Sequence, residues 1–193
     1  MFVSVGAFTP GPNNAMLLAS GLNFGFRRTL PHLAGVVLGY GLMMFGVAVG
    51  LGALFAAFPA LQVAVQVAGA GYMLYLAWRI ATSTSVGGAE GRSRPIRFLE
   101  AAAFQWVNPK AVVSAISTPA AFAPKDRYLA GSLLIILVAM GVSVVSAAAW
   151  AGLGTSLRRL LERPRARAVF NGVLAAALVA SLIPLGLELL RSL

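Results

Sequence analysis

Residues 29–78, TLPHLAGVVLGYGLMMFGVAVGLGALFAAFPALQVAVQVAGAGYMLYLAW, run for 50 residues without a Lys, Arg, Asp or Glu, and His32 is the one group in them able to take a charge near neutrality. A single helix of that length would extend about 75 Å at 1.5 Å per residue, against a hydrocarbon core about 30 Å thick. The run must therefore fold back on itself, and Pro59, directly after Phe58, is the natural break. It reads as two apolar spans joined by an uncharged connection.

The same pattern extends in both directions. Residues 1–26, 128–157 and 168–187 carry no formal charge, and residues 101–124 carry only Lys110. Six spans are predicted, at about Met1 to Leu22, Leu33 to Phe58, Leu61 to Ala81, Phe98 to Phe122, Tyr128 to Leu157 and Val169 to Leu190. Barrel strands would read as segments of about 10 residues alternating in and out, and none of these runs alternates, so the fold class is an all-α integral membrane protein. The first run lacks the basic start and cleavage site of a secretory signal, and is expected to stay in the mature chain. It begins only eight residues ahead of Thr9, which leaves room for a start codon further upstream.

Composition agrees. Of 193 residues, 59% are hydrophobic and 10% charged, too few charges to clothe a water-soluble domain of this apolarity and too much apolar content for disorder. The net charge of +10 would suggest nucleic acid in a soluble chain. Here position matters more: the connections after the first, third and fifth spans hold 11 of the 15 basic residues. By the positive-inside rule those connections face the cytoplasm and both termini face outward, so no nucleic-acid partner is needed. The basic segment from Arg158 to Arg167 reads as an ordinary cytoplasmic loop, with binding to anionic lipid as the alternative. The chain has no Cys and no intramembrane cluster of metal-ligating groups, so neither a disulfide, a metal nor a cofactor is expected.

The Ser-, Gly- and Arg-rich stretch of about residues 82–97 reads as a cytoplasmic linker dividing a single transporter domain into a first repeat at about 1–81 and a second at about 98–193. Three spans per half invert the second half relative to the first. Pro12, Pro31 and Pro59 accompany the first three spans as Pro109, Pro124 and Pro164 accompany the last three, which favours two inverted three-helix repeats over coincidence. Gly35 and Gly39, and likewise Gly46 and Gly50, are spaced to let helix backbones approach, and exposed glycine faces would permit a homodimer.

Two spans are interrupted. Thr9, Pro10, Gly11, Pro12, Asn13 and Asn14 set two prolines around a glycine, which removes two amide donors and breaks the first helix. Freed backbone groups are tolerated in lipid only where protein or a watery cavity satisfies them, so the break should face the bundle interior. A half-helix starting near Pro12 would aim free amides, with the side chains of Asn13 and Asn14, at a carboxylate. The fourth span is broken at Asn108, Pro109 and Lys110, just after Gln105 and Trp106. A charge in hydrocarbon costs about 2.5–3.5 kcal/mol on insertion scales, which makes Lys110 a functional candidate, with snorkelling to an interface as the alternative. Paired interruptions in corresponding halves point to a transporter's central site. These ten residues, Trp106 aside, are the expected substrate-binding and translocation set.

The motifs are familiar. TPGPNN at Thr9–Asn14, the Gly35 and Gly39 of GVVLGYG, GAGYMLYLAWR at Gly69–Arg79 and WVNPKA around Lys110 resemble the LysE/RhtB superfamily of bacterial amino-acid exporters over nearly the whole chain. The resemblance implies an inner-membrane protein that moves amino acids or related metabolites outward against protons. Pro10, Gly11, Pro12 and Asn13 match the first-span motif, and Asn108, Pro109 and Lys110 the fourth-span one. Many relatives place an acidic residue after the second glycine of the second span, where this chain has Tyr40. Of the acids left near spans, Glu100 is the better candidate for coupling, with a surface ion pair to Arg97 as the equal alternative. Selectivity is expected from Gln105, Tyr40, Tyr72 and Trp106. Competing classes fare worse: an intramembrane enzyme lacks H-E-x-x-H and G-x-S-x-G signatures, with His32 expected at an interface, and a passive assembly subunit has no use for polar groups at broken helices.

Overall fold

The computed structural model describes residues 6–51, 53, 57–84, 94–183 and 186–187, and among these the chain is helical, with no strand. After a single helical turn at residues 6–8 come α1 (Pro12–Phe24), α2 (Phe26–Gly46), α3 (Pro59–Thr82), α4 (Phe98–Phe104), α5 (Pro109–Phe122), α6 (Tyr128–Leu157) and α7 (Pro164–Ala180). Four of them, α1, α3, α5 and α7, open on proline. Proline presets the helical φ there, and its missing N–H is one the first turn could not have paired anyway.

Boundaries differ from the sequence reading in instructive places. The first two helices are joined by Gly25 alone, whose φ of 81° lies in the left-handed region that glycine reaches without penalty. So α2 begins at Phe26 instead of Leu33, and Arg27 and Arg28 lie exposed in its first turn, not in a loop. His32, expected at an interface, is 1% exposed inside the bundle. The second span is not one helix to Phe58: α2 passes at Val47–Leu51 into a wider turn with a kink at Gly50. The sixth begins at Pro164, taking Arg165 and Arg167 into its first turns. The centre of the linker, residues 85–93, lies outside the described residues; its far end is packed, because Ile96 is buried with Leu17, Val36, Ala101 and Ala147.

Among the described residues two stretches, Phe26–Leu51 and Lys125–Leu157, are long and apolar enough to cross a bilayer. Along α6 the residues Leu133, Leu134, Leu137, Val138, Val144 and Val145 all point outward, an arrangement suited to lipid and costly in water. Inward, small residues set the spacing. A side chain on Gly21 would strike the Ala151 carbonyl, and one on Gly154 the Leu18 carbonyl, so α1 and α6 touch backbone to backbone. Gly35 does the same against Phe98, and Gly39 against Ala102, between α2 and α4. The other expected pair is not used this way: among the described residues Gly46 meets only the Leu51 and Trp106 side chains, and Gly50 meets nothing.

These contacts fix directions. Ser146 bonds the Ala7 carbonyl and Thr155 the Gly21 carbonyl, so α1 and α6 run in parallel, as do α2 and α4. Asn171 of α7 donates to the Ser83 carbonyl at the end of α3, and that pair runs antiparallel. Arg27, Arg28, Arg79, Arg94, Arg97 and the cluster from Arg158 to Arg167 are thereby gathered at one end of the bundle, with Lys125 and Arg127 at the other.

Candidate functional site

A cavity of about 670 Å³ lies between the two interruptions. Its wall includes Thr9, Pro10, Gly11, Pro12, Asn13 and Asn14 from the first, and Gln105, Asn108, Pro109 and Lys110 from the second. The helical phase explains the meeting. Helix α1 starts at Pro12 with Gly11 as its N-cap, and α5 at Pro109 with Asn108, so two helix N-termini face one space. Neither cap makes a side-chain bond to its own helix. The amides of Asn13 and Asn14 in one helix, and of Lys110 and Ala111 in the other, belong to the first turn, where no intrahelical carbonyl is in reach.

The break in the first element exposes carbonyls, and donors from three elements answer them. Asn14 Nδ2 donates to the Ala7 and Thr9 carbonyls at 2.8 and 2.9 Å. Ser146 of α6 adds a bond to Ala7 at 2.8 Å. Lys110 Nζ reaches across from α5 to the Thr9 carbonyl at 2.7 Å and the Pro10 carbonyl at 3.4 Å. Gly11 makes that reach fit, since a Cβ there would stand 3.1 Å from Lys110 Cδ. Pro109 is seated in turn against Gly69 of α3, where any side chain would collide with the ring.

The two breaks are also tied to each other. Asn13 Nδ2 donates to Gln105 Oε1 at 2.8 Å, and Gln105 Nε2 returns a longer bond to Asn13 Oδ1 at 3.3 Å while donating to the Ala101 carbonyl. This pair forms the floor of the cavity toward the basic end, beneath which the Gly21, Gly154 and Gly35 contacts close the bundle. Away from that end the cavity continues along Ser114, Ser117, Ser143 and Ser181. Asn108, 2% exposed, keeps an Oδ1 with no hydrogen-bond partner among the described residues.

Several selectivity candidates move. Tyr40 lines the cavity with its hydroxyl 2.8 Å from Ser114 Oγ, and Gln105 lines it too. Tyr72 instead packs against Phe104 with the rings tilted, their centres 5.4 Å apart, and Trp106 is 41% exposed on the outside. The serines were missed. Ser114 and Ser117, like Ser143 and Ser146, are three residues apart on one helix face within apolar spans, a periodic polar signal that was there to read. Glu100 is not brought to the cavity: it lies exposed at the start of α4, ion-paired to Arg94 at 2.6 Å and accepting from the Arg97 amide. The Arg97 guanidinium, the partner expected for it, is not the one it pairs with. The hydrogen bonds that the Arg94 guanidinium donates to the Glu100 carboxylate push it up from its ordinary pKa.

Comparison with known proteins then bears on the site. A sequence model described as "LysE type translocator" matches residues 4–193. The chain is 33% identical over 167 residues to a cysteine/O-acetylserine efflux protein of Escherichia coli strain K12, covering 84% of this chain and 83% of that one. A protein of the same name in Shigella flexneri serotype 5b gives the same figures, and one in Escherichia coli O139:H28 is 32% identical over the same length. No solved structure matches the chain.

Proposed function

The chain belongs to the LysE type translocator family, and on that premise we propose that it exports amino acids or closely related small metabolites across the bacterial inner membrane in exchange for protons. Membership makes it a membrane translocator and not an enzyme. The observation that carries the finer reading is the cavity into which two broken helices direct their N-termini. Its volume is within the range of small-molecule sites, about 300–1,000 Å³. First-turn amides at Asn13, Asn14, Lys110 and Ala111 suit a carboxylate, because the helix dipole and unpaired N–H groups favour an anion. The serine hydroxyls beyond them suit a small polar side chain, in keeping with relatives named for cysteine and O-acetylserine efflux. Thr9, Pro10, Gly11, Pro12, Asn13, Asn14, Gln105, Asn108, Pro109 and Lys110 make up the proposed binding and translocation set.

The architecture we propose is six spans in two inverted repeats, about 1–81 and 98–193, around the linker. Its support is that the helix pairings map onto themselves when the halves are exchanged. Span by span, the contact of the first (α1) with the fifth (α6) becomes that of the fourth (α4 and α5) with the second (α2), while the second with the fifth and the third with the sixth each map to themselves. The arginine-rich end is the cytoplasmic one and both termini face outward.

Purified protein in proteoliposomes tests the function. Under an inwardly directed proton gradient, preloaded L-cysteine or O-acetyl-L-serine should leave several-fold faster than from empty vesicles. No flux of any amino acid across a broad panel overturns the reading.

A further inference from the structure

The cavity lining contains no Asp, Glu, His or Arg among the described residues, so the usual carboxylate proton carrier is absent from it. Glu100 is engaged with Arg94 at the surface. Helix α2 presents Tyr40 to the cavity, bonded to Ser114; α3 presents Met73; α6 presents Ser143 and Ser146; α7 presents Ala177 and Ala180, with Ser181 just past its end; and the first break presents amides and carbonyls. His32, Arg27 and Arg28 lie further along α2, outside the lining. Against this neutral background stands Lys110.

What Lys110 does there is chemically specific. Its primary ammonium sits on the carbonyls of Thr9 and Pro10. Those oxygens are acceptors because the break takes away the amides that would have bonded them in a helix. An amino-acid substrate carries the same group, a primary ammonium, beside the carboxylate for which the neighbouring first-turn amides are suited. Asn13 and Asn14 come four residues after Thr9 and Pro10, across Gly11 and Pro12, and all of them line the same cavity, so carboxylate and ammonium seats share it.

Resting on the exporter reading above, we infer that Lys110 carries the exchanged proton: its ammonium and the substrate's ammonium compete for the Thr9 and Pro10 carbonyls. When substrate takes the seat, the Nζ–H bond that is given up sends one proton to water on the side to which the cavity is open, leaving a neutral amine. When substrate leaves, the amine regains a proton from the water it then faces and returns to the carbonyls. One cation always fills the seat, and the two occupants alternate. Substrate affinity therefore rises with pH, by up to about tenfold per unit while Lys110 is charged in the empty protein.

The test is proton release on binding. O-acetyl-L-serine is added to detergent-purified wild-type protein in weakly buffered solution near pH 7, with binding measured in parallel by radioligand. The expected result is release approaching one proton per substrate bound, abolished in Lys110→Gln, whose affinity no longer changes with pH. Lys110→Arg serves if the glutamine variant fails to fold: arginine stays protonated, so it releases nothing and holds the seat, weakening substrate at every pH. Binding by the wild type without proton release, or equal release by Lys110→Gln, overturns the inference and leaves the exporter reading standing. If the wild type neither binds nor moves any amino acid, the exporter reading itself fails, and this inference with it.

Discussion

Asn13 and Gln105 stand 92 residues apart, one from each half of the chain, and exchange two side-chain amide bonds at the floor of the cavity. Hydrogen bonds between membrane helices contribute about 0.6 kcal/mol on average and up to about 1.7 kcal/mol in double-mutant cycles. One bond here is short and one long, so the coupling between these residues should be about 1–2 kcal/mol. Single substitutions do not isolate it. Gln105→Ala also removes the bond to the Ala101 carbonyl and leaves a void at a fully buried site, whereas Asn13→Ala opens onto the cavity, where water can replace what is lost. The cycle of wild type, Asn13→Ala, Gln105→Ala and the double variant, each unfolded by denaturant in micelles, cancels those terms. A coupling energy within about 0.3–0.5 kcal/mol of zero would refute the claim that this pair joins the broken helices.

Other outcomes follow from the same geometry. Gly11→Ala sets a methyl 3.1–3.3 Å from the Lys110 side chain and should slow vesicle transport several-fold while the protein still inserts and purifies normally. Gly154→Leu must push α6 away from the Leu18 carbonyl and should cost at least the 1–3 kcal/mol or so of an overpacked core, whereas Gly172→Ala, with open space around it, should match or exceed wild-type stability in the same unfolding assay. Gly25→Ala retains the fold but loses about 1 kcal/mol or more, the cost of a left-handed backbone for a residue with a Cβ, read by the same measurement. Because the chain has no cysteine, Asp126→Cys and Arg159→Cys can each be labelled alone: in intact spheroplasts an impermeant maleimide should react with the first and reach the second only after permeabilisation, and the reverse pattern would invert the orientation.

The helical class and both interruptions could be read from sequence because they follow from local chemistry: long runs without charge, and prolines that remove amides. What could not be read depends on which helix meets which. Gly21 is four residues before Gly25, but that glycine ends the helix instead of packing beside it, and the significance of Gly21 lies in Ala151, 130 residues away. The start of α2 was hidden because a connection of one residue leaves no polar stretch to mark it, and arginines in a first turn look like a loop. Lys110 stood out as a buried charge, yet nothing local said that its partners would be the carbonyls of the other break. Glu100 looked like a coupling group by its distance along one helix, a measure blind to the arginine six residues before it.

The first break is, in electrical terms, a surplus of lone pairs. The carbonyls of Ala7, Thr9 and Pro10 are met by an amide, a hydroxyl and an ammonium drawn from three elements. Every neighbour is thus recruited as a donor, and an acceptor of the same shape is the worst substitute. Asn14→Asp would set oxygen against oxygen, and a carboxylate at Ser146 would do the same. A cavity built on such a joint repels acidic side chains from its own wall, and among the described residues no acid lines it.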